Sequence, residues 1–344
     1  MLVVLAGGVP GSRKPAEEEI ERLARRGLFV VAPSLRGRDG SQGECDCTGR
    51  EVYDVLDAVE HVKAKFGEFV NTNAVSVLGY SAGGVVALLA GVRFPDYFRT
   101  LVSYFAPQDR GAMPYWELLR RKPKGEGEDR AMRIAKMVAK HVGGAPDKAP
   151  DAYAARRVVT ALGNNPFSRF FLFHDKEDPL VPCAQSEALA KAAAELGTRN
   201  VTLHVSWPED GRRWQHGHPN NIPDLRAAED KFIGFITNPN ATQPPSLPAT
   251  GKLIVLGYLR TKQFEVWLGD GRVAVAEMEY SLGPDRMEFR FHRLAGATDT
   301  PVVLSVSTEH AEAWDVKPSC PVRRRDGMAT VSIGIQEVVA FVKT

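Results

Sequence analysis

The segment VSVLGYSAGGVVALLAG, residues 75–91, runs apolar to a glycine, sets one serine among small residues, and runs apolar again. Its centre, Gly79-Tyr80-Ser81-Ala82-Gly83, has the Gly-x-Ser-x-Gly spacing of a strand-to-helix turn that holds a hydroxyl out at a sheet edge. An alcohol is a poor nucleophile near neutral pH. It needs a base, and the base needs a carboxylate to fix its tautomer. Ser81 is therefore the candidate nucleophile, and the N–H of Ala82, aimed at the same space, is a candidate oxyanion donor. Five residues with three fixed positions also arise by chance in glycine-rich chains, so the context decides: a strand before, a helix after, and partners downstream.

Partners of the right type follow in the order Ser, Asp, His. FFLFHDKEDPLVP, residues 170–182, leaves a strand with Asp175, Glu177 and Asp178. Asp178 is the expected acid, although an aspartate before proline also suits a helix N-terminus. SWPEDGRRWQHGHPNN, residues 206–221, supplies His216 and His218 in one glycine-containing loop, and one of them is the expected base. His204 lies inside the apolar run VTLHVSW and reads as a hydrogen-bonded core histidine.

The elements that must position these groups alternate. MLVVLAGG and LFVVAPSLRG are short apolar runs that read as strands buried on both faces. PAEEEIERLARRG has acid early, arginine late and a glycine stop, the polarity of a helix. TGREVYDVLDAVEHVKAKFG carries Val52, Val55, Leu56, Val59 and Val62 at helical spacing. After the serine segment come a strand TLVSYFAP, a helical stretch over about 108–165, a strand RFFLFHD, a helix AQSEALAKAAAELG, a strand VTLHVSW and a helix LRAAEDKFIGFI. Strands alternating with helices predict a mostly parallel sheet with helices on both faces over 1–238.

At Asn238 the pattern changes. NPNATQPPSLPATG is a linker by composition, assigned to 239–251. From 252 to 344 short strands and turns predict an all-β, sandwich-like domain, with LGDG read as a hairpin turn between the runs on either side of it.

Taken together, LRGRDGSQGE, GYSAGG, AYAARRVVTALGNNPFSRFFLFHDKEDPLVP and HGHPNNIPD resemble the α/β hydrolases. Within them the resemblance is greatest to the catalytic domain of the prolyl oligopeptidase family and its acylaminoacyl-peptidase and small esterase relatives. It covers about residues 1–238. It implies an α/β-hydrolase fold with a helical cap insertion at about 108–165 and a Ser81, Asp178, His216 triad. His216, followed by glycine, then proline and asparagine before the last helix, fits the family's base better than His218. The family's usual His-Gly after the first strand is here Ala6-Gly7 in LAGGVPG, and the backbone N–H of Gly8 or Val9 is the expected second oxyanion donor. Asp175 replaces a glycine that usually precedes the acid. The family's N-terminal propeller is not in this sequence, so the expected activity is hydrolysis of small or medium acyl esters. Peptide hydrolysis is the alternative. Tyr80, Tyr115 and Trp116 are candidate pocket residues, the last two equally readable as core contacts of the cap.

Composition narrows the rest. A formal charge of +2 with interspersed signs gives no nucleic-acid or anionic-membrane footprint. Cys45, Cys47, Cys183 and Cys320 lack zinc-site spacing and read as reduced structural thiols, and no metal or cofactor is expected. No apolar run reaches membrane-spanning length and the N-terminus does not read as a signal peptide, so a soluble cytoplasmic protein is expected. The C-terminal domain is expected to serve packing or homo-oligomer formation. Polymer binding by Tyr258, Trp267 and Trp314, in a polysaccharide deacylase or depolymerase, is the alternative, and an inactive scaffold is disfavoured by a complete Ser, Asp and His set.

Overall fold

The buried apolar runs become six strands: β1 (Leu2–Ala6), β2 (Phe29–Val31), β3 (Val75–Tyr80), β4 (Thr100–Tyr104), β5 (Arg169–Asp175) and β6 (Val201–Ser206). The computed structural model describes residues 2–6, 13–121, 130–206, 223–238, 240–307, 314–317, 321–325, 328–335 and 337–343. All six strands pair in parallel, in the order β2-β1-β3-β4-β5-β6. Their register sets Ala6, Gly79, Ser103, Leu172 and Leu203 in one row, so the loops that follow leave along a single carboxyl edge. The strand order reverses between β1 and β3. Sheets of this kind bind ligands in the crevice at such a reversal.

Among the described residues eight α-helices accompany the strands: α1 (Arg13–Ala24), α2 (Tyr53–Phe66), α3 (Ala82–Arg93), α4 (Tyr115–Arg121), α5 (Arg130–Val142), α6 (Pro150–Ala154), α7 (Ala184–Glu195) and α8 (Pro223–Ile236). Leu23 of α1 and Phe232, Ile233 and Ile236 of α8 pack on one sheet face with Val3, Val102 and Phe173. On the other face α2, α3 and α7 form the larger core with Val4, Val77 and Leu101. Helices α4–α6 sit between β4 and β5, where a cap is expected, around Met113, Tyr115, Trp116, Ala135, Val138 and Tyr153. Among the described residues no helix is long and apolar enough to cross a membrane.

The C-terminal strands are β7 (Thr250–Leu256), β8 (Tyr258–Arg260), β9 (Phe264–Leu268), β10 (Val275–Leu282), β11 (Arg286–Ala295), β12 (Pro301–Ser307), β13 (Trp314–Lys317), β14 (Val322–Arg325), β15 (Met328–Gly334) and β16 (Val338–Lys343). They pair antiparallel in the order β13-β16-β11-β10-β7-β8-β9-β12-β15-β14. Between β7 and β8 the chain bends at Gly257, whose φ is +78° and where a Cβ would lie 2.1 Å from Gly271 O. Only glycine meets both conditions. The bend folds the sheet into two layers whose side chains meet, as in the Phe264–Phe289 ring pair at 5.2 Å. Arg324 of β14 donates to Trp314 O of β13, bringing the two ends of the strand order together.

The LGDG hairpin is a correction. β9 pairs with β8 and β12, β10 pairs with β7 and β11, and the turn crosses from one layer to the other. The bend at Gly257 is the reason, because it assigns β7 and β8 to different layers before the turn begins. The three aromatics of the alternative polymer-binding reading are buried or, for Trp267, half-buried. Tyr258 is fully buried, stacked on Trp267 at 4.6 Å and packed beside Tyr53 and Phe94 of the parallel-sheet half, while Trp314 belongs to the sandwich core.

The two halves are joined by polar as well as apolar contacts. Asn164 donates to Val92 O and Ile254 O and accepts from Ile254 N. Residues 240–249 lie along both halves, with Leu247 in the sandwich core and Gln243 bonded to Asn73. Asp96, fully buried, accepts from the Lys262 N–H through both carboxylate oxygens. Burial pushes the Asp96 carboxyl up to about 6, against the N–H and the charge of Lys262. A carboxyl raised on folding costs stability as pH rises from its unfolded value, near 4, to its folded value. Asp96→Asn is therefore expected to remove a loss on the order of 3 kcal/mol between pH 4 and 6. Urea unfolding at several pH values checks this, and an unchanged slope in the variant contradicts it.

Candidate active site

Ser81 stands between β3 and α3 with φ +53° and ψ −116°, a conformation L residues rarely adopt. Such a residue costs on the order of 1–3 kcal/mol and persists where its surroundings over-determine it. Here they do. The Ser81 N–H donates to Tyr104 O at 2.8 Å, and Ser81 O accepts from Val85 N as the first helical bond. A Cβ on Gly79 would lie 2.1 Å from Gly83 O, and one on Gly84 would lie 2.8 Å from Ser103 Oγ. The glycines are what let the strand and helix approach closely enough to turn on Ser81. Ala82 is the first residue of α3, so its N–H belongs to the helix N-terminus, where the backbone dipoles favour negative charge.

Asp178 follows β5, two strands from Ser81 on the same edge. It is buried, and its Oδ1 accepts from Leu180 N at 2.8 Å and Val181 N at 2.9 Å. The neighbouring carboxylate is held differently. Asp175 Oδ1 accepts from Glu177 N, and burial, with the charge of Asp178 beside it, raises its carboxyl above the ordinary range. Two converging N–H groups fix the direction of the Asp178 carboxylate, whereas Asp175 closes a local turn.

His174, in the last turn of β5, was not singled out by its sequence context. Its Nε2 faces Val181 O at 2.8 Å and its Nδ1 faces Ser186 Oγ at 2.7 Å. A carbonyl can only accept, so Nε2 carries the proton and Nδ1 accepts from the serine hydroxyl. Nε2 also lies 3.8 Å from Asp178 Oδ2. The histidine thus braces both the backbone and the carboxylate of the acid loop. A polar residue closing an otherwise apolar strand was the available signal. Phe105, just after β4, adopts φ +40° while its N–H donates to Phe173 O, a second strained residue on the same edge.

His216, His218, Gly8 and Val9 lie outside the described residues. His204 is half-buried in β6 against Phe173. Tyr115 and Trp116 are both buried in the cap's own cluster, and Trp116 Nε1 donates to Arg110 O. They are placed as packing residues of the cap.

Tyr80 is tied to a buried network on the α1 and α8 face. Its hydroxyl donates to Glu19 Oε1 at 2.7 Å, its ring stacks on Tyr104 at 4.5 Å, and the Tyr104 hydroxyl donates to Glu229 Oε1. Arg22 bridges Glu19 and Glu229. Burial, reinforced by these carboxylates, holds both phenols far above their ordinary value. Burial works against the Arg22 charge, yet Glu19 and Glu229 raise the guanidinium above its ordinary value. The backbone on either side of Ser81 is thereby fixed through Tyr80 and Tyr104. No sequence pattern distinguishes Glu19 from its neighbours in the run EEEIERL, since only the packed sheet face decides which carboxylate turns inward.

Comparison with known proteins bears on the fold. The family model described as the α/β hydrolase fold matches residues 2–121. The uncharacterized peptidase YtmA of Bacillus subtilis (strain 168) is 23% identical over 215 residues, covering 61% of this chain and 77% of that protein. The serine hydrolase BPHL of Mus musculus is 31% identical over 107 residues, 30% of this chain and 35% of that one. Two solved structures share the fold: a puromycin-hydrolyzing peptidase of Mycobacterium tuberculosis (TM-score 0.51, 20% identity) and a dipeptidyl aminopeptidase IV-like protein of Bacteroides ovatus (TM-score 0.53, 16% identity). They overlap 68% of this chain, which spans about a third of each, 34% and 31%. The parallel-sheet half has the α/β-hydrolase fold. An antiparallel β structure is added at its C-terminal end, and the similarities over the parallel-sheet half include proteins named as peptidases.

Arg22→Met tests the network behind the elbow. It strands two buried carboxylates and is expected to cost about 3–5 kcal/mol in urea unfolding. Adding Glu19→Gln and Glu229→Gln should restore part of that loss, and an Arg22→Met protein as stable as the parent contradicts the assignment.

Proposed function

We propose that this hydrolase cleaves carboxylic esters of small or medium acyl groups through a serine acyl-enzyme. Ser81 Oγ attacks the carbonyl carbon while His216 takes its proton, and Asp178 holds the imidazole in the tautomer that can do so. The oxyanion is stabilised by the N–H of Ala82 together with that of Gly8 or Val9. His216 then gives the proton to the leaving alkoxide. Water, deprotonated by the same imidazole, attacks the acyl carbon and releases the acid and Ser81. The observation that carries this reading is the strained φ of Ser81 at a strand-to-helix turn whose glycines admit no side chain. A core serine has no reason to sustain that cost.

Esters are the favoured substrates because an alkoxide leaves more readily than an amine. A second reading, hydrolysis of acylated peptides or short oligopeptides, is favoured by the three similar proteins named as peptidases. The polysaccharide reading loses its support with the burial of Tyr258 and Trp314.

A fluorophosphonate probe tests the proposal without assuming a substrate. Stoichiometric labelling at Ser81 is expected, abolished in Ser81→Ala and slowed on the order of 10³- to 10⁴-fold in His216→Ala. His218→Ala should label at nearly the parental rate. Short acyl p-nitrophenyl esters should give a higher kcat/KM than acyl amino-acid anilides. A folded protein that resists the probe overturns the serine mechanism, and faster anilide cleavage favours the peptidase reading.

A further inference from the structure

The segment Glu44-Cys45-Asp46-Cys47-Thr48, between β2 and α2, carries two thiols two residues apart. Two thiols are too few for a structural zinc site but sufficient for two-electron thiol chemistry. Cys47 has φ +50° and Thr48 φ +75°, strained values for residues with side chains. Both thiols lie on this one tight turn, Cys45 half-buried and Cys47 buried. Arg38 Nη2 lies 3.5 Å from Cys45 Sγ and 2.7 Å from Glu51 Oε2, and that oxygen is 3.6 Å from the same sulfur.

Exposure divides the two thiols. Cys45 is half-buried and lines a cleft of about 590 Å³ with Glu44, Asp46, Lys140, His141, Arg156 and Arg272. Cys47 is buried among Met113, Tyr115, Trp116 and Val181. Hydrogen bonds from Cys47, aided by Arg38, bring the Cys45 thiol down to about 4 although burial opposes this. The same shared hydrogen bond, with burial, holds Cys47 protonated far above the ordinary thiol range. Burial pushes Glu51 up to about 7, so near neutrality part of its population is neutral and competes less for Arg38. An accessible thiolate with a protonated thiol behind it is the arrangement of a peroxide-reactive cysteine and its resolving partner.

We propose that Cys45 and Cys47 form a dithiol site that reduces hydroperoxides, with Cys45 attacking in the cleft and Cys47 resolving the product as a disulfide. The Cys45 thiolate attacks the terminal oxygen of the hydroperoxide, an S–O bond forms, the O–O bond breaks, and the alkoxide or hydroxide leaves into the cleft and takes a proton from water. The Cys47 sulfur then attacks the sulfenic sulfur. An S–S bond forms, the S–O bond breaks, and hydroxide departs with the Cys47 proton as water. The hydroperoxide gains two electrons and the two thiols lose them. The site does not depend on the Ser81 reading.

Cys320 lies outside the described residues, so the test uses the full chain carrying Cys320→Ser. Cys183, buried and pushed up to about 11 by that burial, serves as the internal unreactive thiol. Alkylation of Cys45 by iodoacetamide, read by peptide mass spectrometry, should change less than about fivefold between pH 6 and 8. An ordinary thiol changes by about a hundredfold over that range. One equivalent of hydrogen peroxide at pH 7 should remove two hydrogens from the peptide bearing Cys45 and Cys47, reversibly with dithiothreitol. Cys47→Ser should instead accumulate a dimedone-reactive sulfenic acid at Cys45, and Cys45→Ser should remain unoxidised. A hundredfold pH dependence, an unchanged peptide mass after peroxide, or equal oxidation of Cys45→Ser overturns the proposal.

Discussion

Four consecutive carbonyl oxygens, those of Asp46, Cys47, Thr48 and Gly49, converge on two buried guanidinium groups, and most of the architecture is arranged around that convergence. Arg156 donates to Asp46 O and Cys47 O, and Arg93 donates to Thr48 O and Gly49 O. Taking a cation out of water costs several kcal/mol, so each N–H must find an acceptor. Arg93 reaches Leu256 O through Nε, the Tyr258 hydroxyl through Nη1 and Ala155 O through Nη2, with its guanidinium 4.5 Å from the Tyr258 ring centre. Arg156 reaches Ala152 O and Arg272 O. These acceptors come from the loop before α2, the cap and the C-terminal sandwich, so two side chains tie three parts of the molecule together. Removing any one part would leave a buried cation short of partners.

The clamp bears on the candidate site through α3. That helix has Ser81 at its N-terminus and Arg93 at its other end, about 18 Å away at 1.5 Å per residue, and every residue of it is buried. The clamp fixes the far end, while the Ser81 N–H bond to Tyr104 O and the glycine contacts fix the near one. Under the sheet, the network of Glu19, Arg22 and Glu229 anchors Tyr80 and Tyr104. The acid loop has its own brace in His174. A strained serine needs this rigidity, because a looser frame would relax the elbow to an ordinary helix start.

What the sequence discloses follows from how local each cause is. The strand-turn-helix context of Gly79–Gly83 is local, and so is the alternation of buried strands and helices, and both were legible. Chain order pointed to the loop after β5 and its three carboxylates, with Asp178 the expected acid. The role of Arg93 was not legible: in LLAGVRFPDYF it reads as the basic last turn of a helix, and its acceptors lie up to 165 residues away. The turn LGDG misleads for the same reason. It has hairpin chemistry, but the bend at Gly257 fixes the pairing of its flanking strands from a distance. Whether Tyr258 and Trp267 pack or face solvent stayed open in the sequence, and the joint with Tyr53 and Phe94 is what buries Tyr258 and half-buries Trp267.

If the guanidinium clamp makes the parallel-sheet half and the sandwich one cooperative body, differential scanning calorimetry of the full chain beside Arg93→Met is its most direct test. The parent should melt in a single transition whose calorimetric and van't Hoff enthalpies agree. The variant, with the Arg93 donors to Thr48 O, Ala155 O and Leu256 O removed, should melt at a markedly lower temperature or separate into two transitions. Two resolved transitions in the parent, or an Arg93→Met protein that melts with it, would contradict the account.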